Sequence, residues 1–250
     1  MIFNCLTIFP EMFSGYLNAS LCKKAIDRGD IEIYLHNFRD YTADKHNRVD
    51  DYPFGGGAGM LIMCQPVFDC FRAIWKQQQG RFLNIYMSPA GKTLRQSDLK
   101  RLAGYDGLNI LCGHYEGVDQ RIIDVCIDEE YSVGDYILTG GELPAMILMD
   151  GVMRYTGALS NDASHDEESF YDGLLEYPQY TRPAVYEGLA APEVLLSGNH
   201  AKIREWQRQM SLKKTQECRP DLLEKADLQK KDQDFLKKLD IGIEIDKESC

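Results

Sequence analysis

The feature that most restricts the fold of this chain is a regular alternation of short apolar runs with amphipathic runs, which continues through residue 155. Short apolar runs bounded by turn residues predict strands, and runs with helical spacing of apolar residues predict helices. The predicted strands are residues 2–9, 31–38, 82–87, 108–112 and 123–127, and the predicted helices are residues 11–21, 66–79, 96–105 and 144–155. This alternation indicates an α/β domain with a mainly parallel sheet, in which a ligand would bind beyond the carboxyl ends of the strands.

Composition excludes several classes of protein. The formal net charge of −11 argues against a protein that coats nucleic acid through its overall charge, but allows a local basic surface. No apolar run reaches the length of about 18 residues that a membrane-spanning helix needs, and the amino terminus lacks the basic region of a secretion signal. The eight cysteines are scattered, and the closest pair, Cys64 and Cys70, lacks a usual zinc or redox spacing. We therefore expect a cytoplasmic protein with unreactive thiols.

A polar and acidic segment at residues 160–168 interrupts the alternation. It lacks apolar periodicity, which is typical of a linker or a mobile loop. We expect a first domain over residues 1–160, a flexible linker over 161–169 and a smaller, mainly helical domain over 170–250. Composition alone is equally compatible with a linker that is only a solvated tether.

Three loops rich in small residues follow the predicted strands. They cover residues 86–91, 113–117 and 131–142. Small residues let the backbone approach a flat ligand closely, so that amide and carbonyl groups can bind its polar edge. Each loop taken singly is more typical of a tight turn. Because the three occur at successive strand ends, they predict one shared ligand pocket.

A fourth glycine cluster, at residues 51–60, superficially resembles a dinucleotide-binding loop. No predicted strand leads into it, so the Rossmann interpretation fails, and no Gly-Lys-Ser or Gly-Lys-Thr ending marks a phosphate-binding loop. Two interpretations stay open, a flexible surface loop and a loop that closes over a large substrate.

Together these motifs resemble the bacterial tRNA (guanine-37-N1)-methyltransferases of the SPOUT superfamily. The resemblance is carried, in the family's order, by residues 54–60, 86–91, 111–119, 133–146, 173–183 and 195–200. It implies methyl transfer from S-adenosylmethionine to N1 of guanine-37, beside the anticodon of tRNA. It also implies a deep trefoil knot around residues 86–140, a helical carboxyl-terminal domain that binds tRNA, and a homodimer whose active sites are built from both chains.

The resemblance assigns the S-adenosylmethionine site to the three loops. The residues are Tyr86, Met87, Ser88, Pro89, Gly91, Gly113, Glu116, Ser132, Val133, Gly134, Asp135, Tyr136, Ile137, Leu138, Gly140, Gly141 and Pro144. Glu116 would contact the ammonium group of the cofactor. As an alternative, Glu116 is a structural acid that pairs with Arg121.

The reaction implied by the resemblance requires a base and a donor. N1 of neutral guanine carries a proton, and negative charge develops toward O6 when that proton leaves, so a carboxylate and an arginine are suited to the site. The family places its arginine at Arg154, although an arginine at a helix carboxyl terminus is also favoured by the helix dipole. The family motif Asp-Ser-Phe reads Glu168-Ser169-Phe170 here, which makes Glu168 the predicted base and Asp172 the second candidate. Both acids are otherwise typical of a solvated linker.

A local excess of basic residues predicts where tRNA binds. Residues 200–219 carry a local charge of +4, Asn199 is a predicted helix N-cap, and Ile203, Trp206 and Met210 have the spacing of a core-facing stripe. The alternative is a solvated helix surface; with the resemblance, the segment is a phosphate-contacting helix. The candidate tRNA-binding residues are Gly55, Gly59, Asp50, Asp119, Arg121, Ser197, Asn199, His200, Arg204 and Arg208.

Two other functions stay open at this point. One is a catalytically silent protein that binds the cofactor or RNA, and the glutamate at position 168 keeps that hypothesis alive. The other is a different SPOUT enzyme, which methylates a ribose hydroxyl or another base. No dedicated metal site is predicted, and whether Mg²⁺ assists the reaction is not decided by the sequence.

Overall fold

The computed structural model describes residues 1–159, 169–170 and 173–248. The predicted linker at 161–169 therefore lies almost wholly outside the described residues, as do Glu168 and Asp172. The backbone separates into two compact units, residues 1–161 and 162–250.

The first unit is built on a five-stranded parallel sheet. Its strands are β1 (Ile2–Thr7), β2 (Glu32–Asn37), β5 (Phe82–Thr93), β6 (Gly107–Cys112) and β7 (Glu129–Ser132). Their spatial order is β2-β1-β6-β5-β7, so β1, β6 and β5 are central. β6 is buried along its whole length, as expected for a strand covered on both faces. The predicted α/β class with a parallel sheet is confirmed.

Helices cover both faces of this sheet. They are α1 (Ser14–Leu17), α2 (Ser20–Asp27), α3 (Cys64–Trp75), α4 (Gln96–Leu102), α5 (Gln120–Cys126) and α6 (Glu142–Arg154). Side chains of α2, α4 and α6 pack into one hydrophobic core, and side chains of α3 and α5 pack into a second core on the opposite face. Because the strands are packed between these two cores, the loops at their carboxyl ends begin from well-ordered positions.

Two predicted elements of the first unit are wrong. The apolar run at 123–127 is not a strand but belongs to α5, which Asp119 caps by accepting from the Arg121 N–H at 3.0 Å. Ile122 and Cys126, four residues apart, are the buried side chains of this helix. The predicted helix at 11–21 is divided: a 3₁₀ turn at Pro10–Phe13 leads into α1, and the chain leaves the helix before Ser20.

The glycine cluster of residues 51–60 is the loop of a short hairpin. β3 (Asp50–Asp51) pairs antiparallel with β4 (Leu61–Ile62), although no strand was expected there. Four of the glycines, among them Gly55 and Gly59, have positive φ, which other residues rarely adopt. Phe54, beside them, is almost fully exposed.

The second unit is mainly helical in its described part. It contains the hairpin β8 (Val185–Tyr186) and β9 (Leu189–Ala190), and the helices α7 (Glu193–Leu196), α8 (His200–Cys218), α9 (Pro220–Leu223) and α10 (Lys230–Glu248). The predicted core stripe of α8 is only half-buried at Ile203, Trp206 and Met210. The buried residues of α8 lie one turn further on, at Leu212 and Thr215 among others.

Candidate active site

A cavity of about 610 Å³ opens at the carboxyl ends of β5, β6 and β7. All three predicted loops contribute to its wall, together with Pro144 in the first turn of α6. Every residue that the sequence assigns to the cofactor lines it except Gly91 and Asp135. Its size is in the range of a pocket for a nucleoside-sized ligand.

The second and third loops touch through their backbones. The Gly141 N–H donates to the Gly113 carbonyl at 2.9 Å, and a Cβ added at Gly141 would lie 2.7 Å from the Cα of Cys112. Only a glycine allows this approach. Burial raises the pKa of the Cys112 thiol well above its ordinary value, so Cys112 is a neutral packing group beneath the cavity.

We expect Gly141→Ala to weaken cofactor binding at least tenfold, because its methyl group would separate the two loops by clashing with backbone. Calorimetry with S-adenosylmethionine measures the effect. Gly15→Ala is a matched control, since Gly15 does not have a positive φ and a Cβ there meets no atom within 4 Å. Unchanged affinity in Gly141→Ala would contradict the role of this contact.

The first loop is not a free loop. β5 continues through it to Thr93, and its register against β7 shifts between Met87 and Lys92. Met87 and Lys92 both pair with Tyr131, so residues 88–91 form an excursion between two paired positions of the strand. Gly91 fits against the backbone of Tyr131, where a Cβ would lie 2.5 Å from the Tyr131 nitrogen. Gly91 therefore packs this excursion against β7 and does not belong to the cavity wall.

Tyr86 closes the cavity from the first loop. Its hydroxyl lies against Gly113, where a Cβ would come within 2.7 Å of it. Burial, followed by the charge of Glu130, raises the pKa of Tyr86 to about 12. The phenol is therefore neutral at physiological pH and can donate a hydrogen bond to a ligand.

The hairpin β3–β4 is bonded to the second loop. The Glu116 N–H donates to the Met60 carbonyl at 3.0 Å, and the Ile62 N–H donates to the Gly117 carbonyl at 3.0 Å. The side chain of Glu116 packs over Gly59, which has no room for a Cβ. The sequence gives no sign of this junction, which joins the glycine hairpin to the cavity wall at Glu116.

The side chains of Asp119 and Arg121 form an ion pair with each other. Two Arg121 nitrogens donate to the Asp119 carboxylate at 2.9 and 2.7 Å. These hydrogen bonds lower the pKa of Asp119 well below its usual range. The alternative in which Arg121 pairs with Glu116 is therefore wrong, because the Asp119 carboxylate holds the guanidinium of Arg121.

The predicted catalytic arginine lies on a rigid element. Arg154 is the last residue of α6, directly after the fully buried Val152 and Met153. The two residues predicted as candidate bases, Glu168 and Asp172, lie outside the described residues. The described residues that follow Glu168 are anchored: the Ser169 hydroxyl accepts from the Glu176 N–H at 2.9 Å, and the Phe170 N–H donates to the Leu174 carbonyl at 2.8 Å.

The predicted basic helix exists as α8. The Asn199 side chain accepts from the Lys202 N–H at 3.2 Å, which confirms the predicted N-cap. Arg204 is exposed. Arg208, in contrast, donates to Asp232 at 2.8 Å, so its guanidinium is part of the packing between α8 and α10.

Sequence reasoning missed a buried polar group under the cavity. Glu142, the first residue of α6, is fully buried; Thr7 Oγ1 donates to it at 2.5 Å, and His114 Nε2 lies 2.7 Å from its other oxygen. The one available signal was a glutamate followed by Leu143 and Pro144 at the start of an apolar helix. Such a carboxylate is favoured there by the helix dipole.

The described residues hold neither a cluster of metal-binding side chains nor a membrane-spanning helix. No cluster of three or more histidine, cysteine, aspartate or glutamate side chains in the described part of the chain could hold a metal ion. None of the helices in that part is long and apolar enough to cross a membrane.

Comparisons with known proteins agree on one family. The family model described as tRNA (Guanine-1)-methyltransferase TrmD matches residues 1–225. A tRNA (guanine-N(1)-)-methyltransferase of Alkaliphilus oremlandii is 52% identical over 245 residues, covering 96% of this chain and 98% of that protein. The proteins of the same name from Ruminiclostridium cellulolyticum and Geobacter sulfurreducens are 54% and 47% identical, covering 90% and 96% of this chain and 97% and 98% of their own lengths.

Proposed function

The chain belongs to the tRNA (guanine-1)-methyltransferase TrmD family, and from that premise we propose that it transfers a methyl group from S-adenosylmethionine to N1 of guanine-37 in tRNA. The observation that carries the proposal is the family match over residues 1–225, which includes the whole cavity and its three loops. Such an enzyme would work in the cytoplasm, where tRNA is processed.

The cavity fits the cofactor. Gly113 and Gly141 have no room for a side chain, so the loops present only backbone to the cavity at these two positions, and the cavity of about 610 Å³ is large enough for a nucleoside. We assign adenine and ribose to the backbone of residues 88–90, 133–134 and 136–138 and to Gly113, all of which line the cavity, and the ammonium group to the Glu116 carboxylate. S-adenosylmethionine, when bound, supplies a methyl group activated by its sulfonium.

The protein's own chemistry concerns the guanine. Glu168 removes the proton from N1, which frees a lone pair for attack, and Asp172 is the second candidate for this step. Arg154 donates hydrogen bonds to O6 as negative charge develops there. Alignment of N1 with the methyl carbon contributes several kcal/mol more. The target base has to leave its stack to enter the cavity, as in other enzymes that act on a base.

We propose that α8 contacts the phosphates of tRNA, together with Ser197 and His200 before and at its start. The exposed Arg204 carries this proposal. Asp50, Gly55 and Gly59 on the glycine hairpin are further candidates. Asp119 and Arg121, which neutralise each other, would act as a rigid pair rather than as separate charges.

Arg204→Glu is expected to weaken tRNA binding several-fold at low salt and to reduce the slope of log affinity against log salt by about one. Filter binding at two or more salt concentrations measures both. Lys23→Glu changes the net charge equally on α2 in the first unit and is the control. An equal loss of tRNA affinity in the two variants would indicate that α8 is an ordinary solvated surface and does not contact the phosphates.

Arg208→Glu is expected to act differently, by destabilising the second unit. Burial would raise the pKa of Asp232, but the hydrogen bonds from Arg208 and Gln229 lower it, so the ionised form is stabilised. Two facing carboxylates would cost about 1–3 kcal/mol of unfolding free energy. Thermal unfolding measures this loss, and a wild-type melting temperature would contradict it.

We also propose a homodimer with composite active sites. The third loop and α6 expose apolar side chains: Tyr136, Ile137, Leu138, Leu143 and Ile147. Five large apolar side chains exposed within residues 136–147 are typical of an interface. Light scattering at twice the chain mass would support the dimer. The trefoil knot is a proposal as well, supported by the strand order β6-β5-β7 and by the seating of Gly141 on Gly113.

The experiment is incubation of the pure protein with unmodified tRNA and labelled S-adenosylmethionine, followed by nucleoside analysis. We expect label in 1-methylguanosine, and none with a transcript in which adenine replaces guanine-37. Label in a ribose-methylated nucleoside or in another base would favour a different SPOUT activity. Bound tRNA without label would favour a silent protein. A parallel reaction with EDTA shows whether Mg²⁺ assists.

A further inference from the structure

Beneath the cavity lies a carboxylate that the proposed chemistry does not use. Glu142 is 0% exposed. A buried charged or polar group is costly unless its atoms have hydrogen-bond partners. Both carboxylate oxygens have one, since Thr7 Oγ1 donates to Oε1 at 2.5 Å and His114 Nε2 lies 2.7 Å from Oε2. His114 Nε2 and Glu142 Oε2 therefore share one hydrogen bond, whichever of the two atoms carries its proton.

The three residues of this group come from three elements. Thr7 ends the central strand β1, His114 belongs to the second loop, and Glu142 follows the third loop as the first residue of α6. We call them the Thr7–Glu142–His114 link. Gly140 lies where the imidazole and the carboxylate meet, and a Cβ there would be 2.6 Å from Oε2 of Glu142.

Only one end of the link reaches the cavity. His114 lines the cavity, whereas Thr7 and Glu142 do not. The imidazole also packs edge-on against Phe9 at 4.8 Å between ring centroids, and the Phe9 N–H donates to Thr7 Oγ1 at 2.9 Å. The Thr7 hydroxyl therefore supports His114 by two routes while remaining outside the cavity.

We propose that Glu142 is a positioning residue of the cofactor site: its carboxylate, held by Thr7, fixes His114 and with it the spacing of the second and third loops. The loops touch above it through the Gly141 N–H and the Gly113 carbonyl. Glu142 is not a base for guanine, because it is fully buried and both its oxygens are engaged. The inference rests on the proposed function for the identity of the ligand.

The alternative is a network that stabilises the fold and nothing else. Such a network would lower the melting temperature when broken, as would any buried hydrogen bond, but would leave cofactor affinity unchanged. Cofactor affinity in variants that stay folded therefore separates the two explanations.

The test replaces Thr7, which lies outside the cavity. Thr7→Val keeps the shape of the side chain and removes the hydroxyl, and Thr7→Ser restores it. We expect Thr7→Val to raise the Kd for S-adenosylmethionine about tenfold in calorimetry, and Thr7→Ser to bind within about twofold of wild type. Asn4→Ala is the matched control, since Asn4 lies on the same strand and donates to Asn109 at 2.9 Å in another buried network.

Two results would overturn the proposal. One is a wild-type Kd in Thr7→Val; the other is a similar rise in Kd in Asn4→Ala at an equal loss of melting temperature. Glu142→Gln, which keeps the size of the side chain but not its charge, serves if Thr7→Val fails to fold, and a wild-type Kd there has the same meaning. A wild-type protein that does not bind S-adenosylmethionine would instead refute the proposed function, before any variant is compared.

Discussion

Arg154→Ala is expected to lower the rate of tRNA methylation by about 10²–10³-fold, the usual cost of losing one donor to a developing oxyanion. The reason is that proton removal from N1 places negative charge on O6 of the guanine. Arg154 is suited to meet that charge because α6 holds it firmly, through the buried Val152 and Met153 directly before it. Single-turnover kinetics measures the chemical step without interference from product release.

The affinity of Arg154→Ala for the cofactor distinguishes a catalytic role of Arg154 from a purely structural one. Arg154 does not line the cavity, so Arg154→Ala should bind S-adenosylmethionine nearly as the wild type does. Arg72→Ala removes an exposed arginine of α3, which pairs with Asp69 at 2.8 Å, and should leave the rate unchanged. Arg154→Lys, which keeps the charge but loses the planar fork, should recover only part of the rate. A large loss of cofactor binding in Arg154→Ala would contradict the assigned role.

The sequence predicted the cavity better than it predicted the elements around it. The strands predicted at 82–87 and 108–112 lie within β5 and β6, and parallel strands bring their carboxyl ends to one edge, so topology predicted that the first two loops meet. The third loop follows β7, a strand that was not predicted from the sequence. The error at residues 123–127 arose because a run of β-branched residues suits both a buried strand and a short helix. The structure forms the helix: Asp119 caps it, and Ile122 and Cys126, one helical turn apart, are its two buried side chains.

Contacts between distant residues could not be predicted. The sequence around Arg208 is typical of a solvated basic helix. In the structure, however, Arg208 donates to Asp232, which lies 24 residues later in the chain. From the sequence, Glu142 is an ordinary acidic residue in the first turn of a helix. Its hydrogen bond with Thr7 joins residues 135 positions apart in the chain, and it forms only in the folded protein. Side-chain pairs of this kind depend on tertiary packing, which hydrophobic periodicity does not encode. For this reason Arg208 was predicted to lie on a tRNA-binding surface, and Glu142 was not identified from the sequence.

Glu168→Gln is expected to lower methylation by about 10²–10⁴-fold, the usual contribution of a general base. The amide keeps the length of the side chain but cannot accept the N1 proton. Binding of tRNA and of the cofactor should be unchanged, because neither depends on proton removal. The described residues that follow position 168 are anchored within the second unit by the hydrogen bonds of Ser169 and Phe170.

The matched variant is Glu168→Asp, which restores the family's Asp-Ser-Phe motif. Since the aspartate keeps the carboxylate and the family uses its length, we expect this variant to retain activity within about tenfold of wild type, far above Glu168→Gln. If Glu168→Gln remains active while Asp172→Asn does not, the base is Asp172. If both remain active, neither acid takes the proton, and a base elsewhere in the protein would have to replace them, because neutral N1 has no lone pair in the ring plane with which to attack.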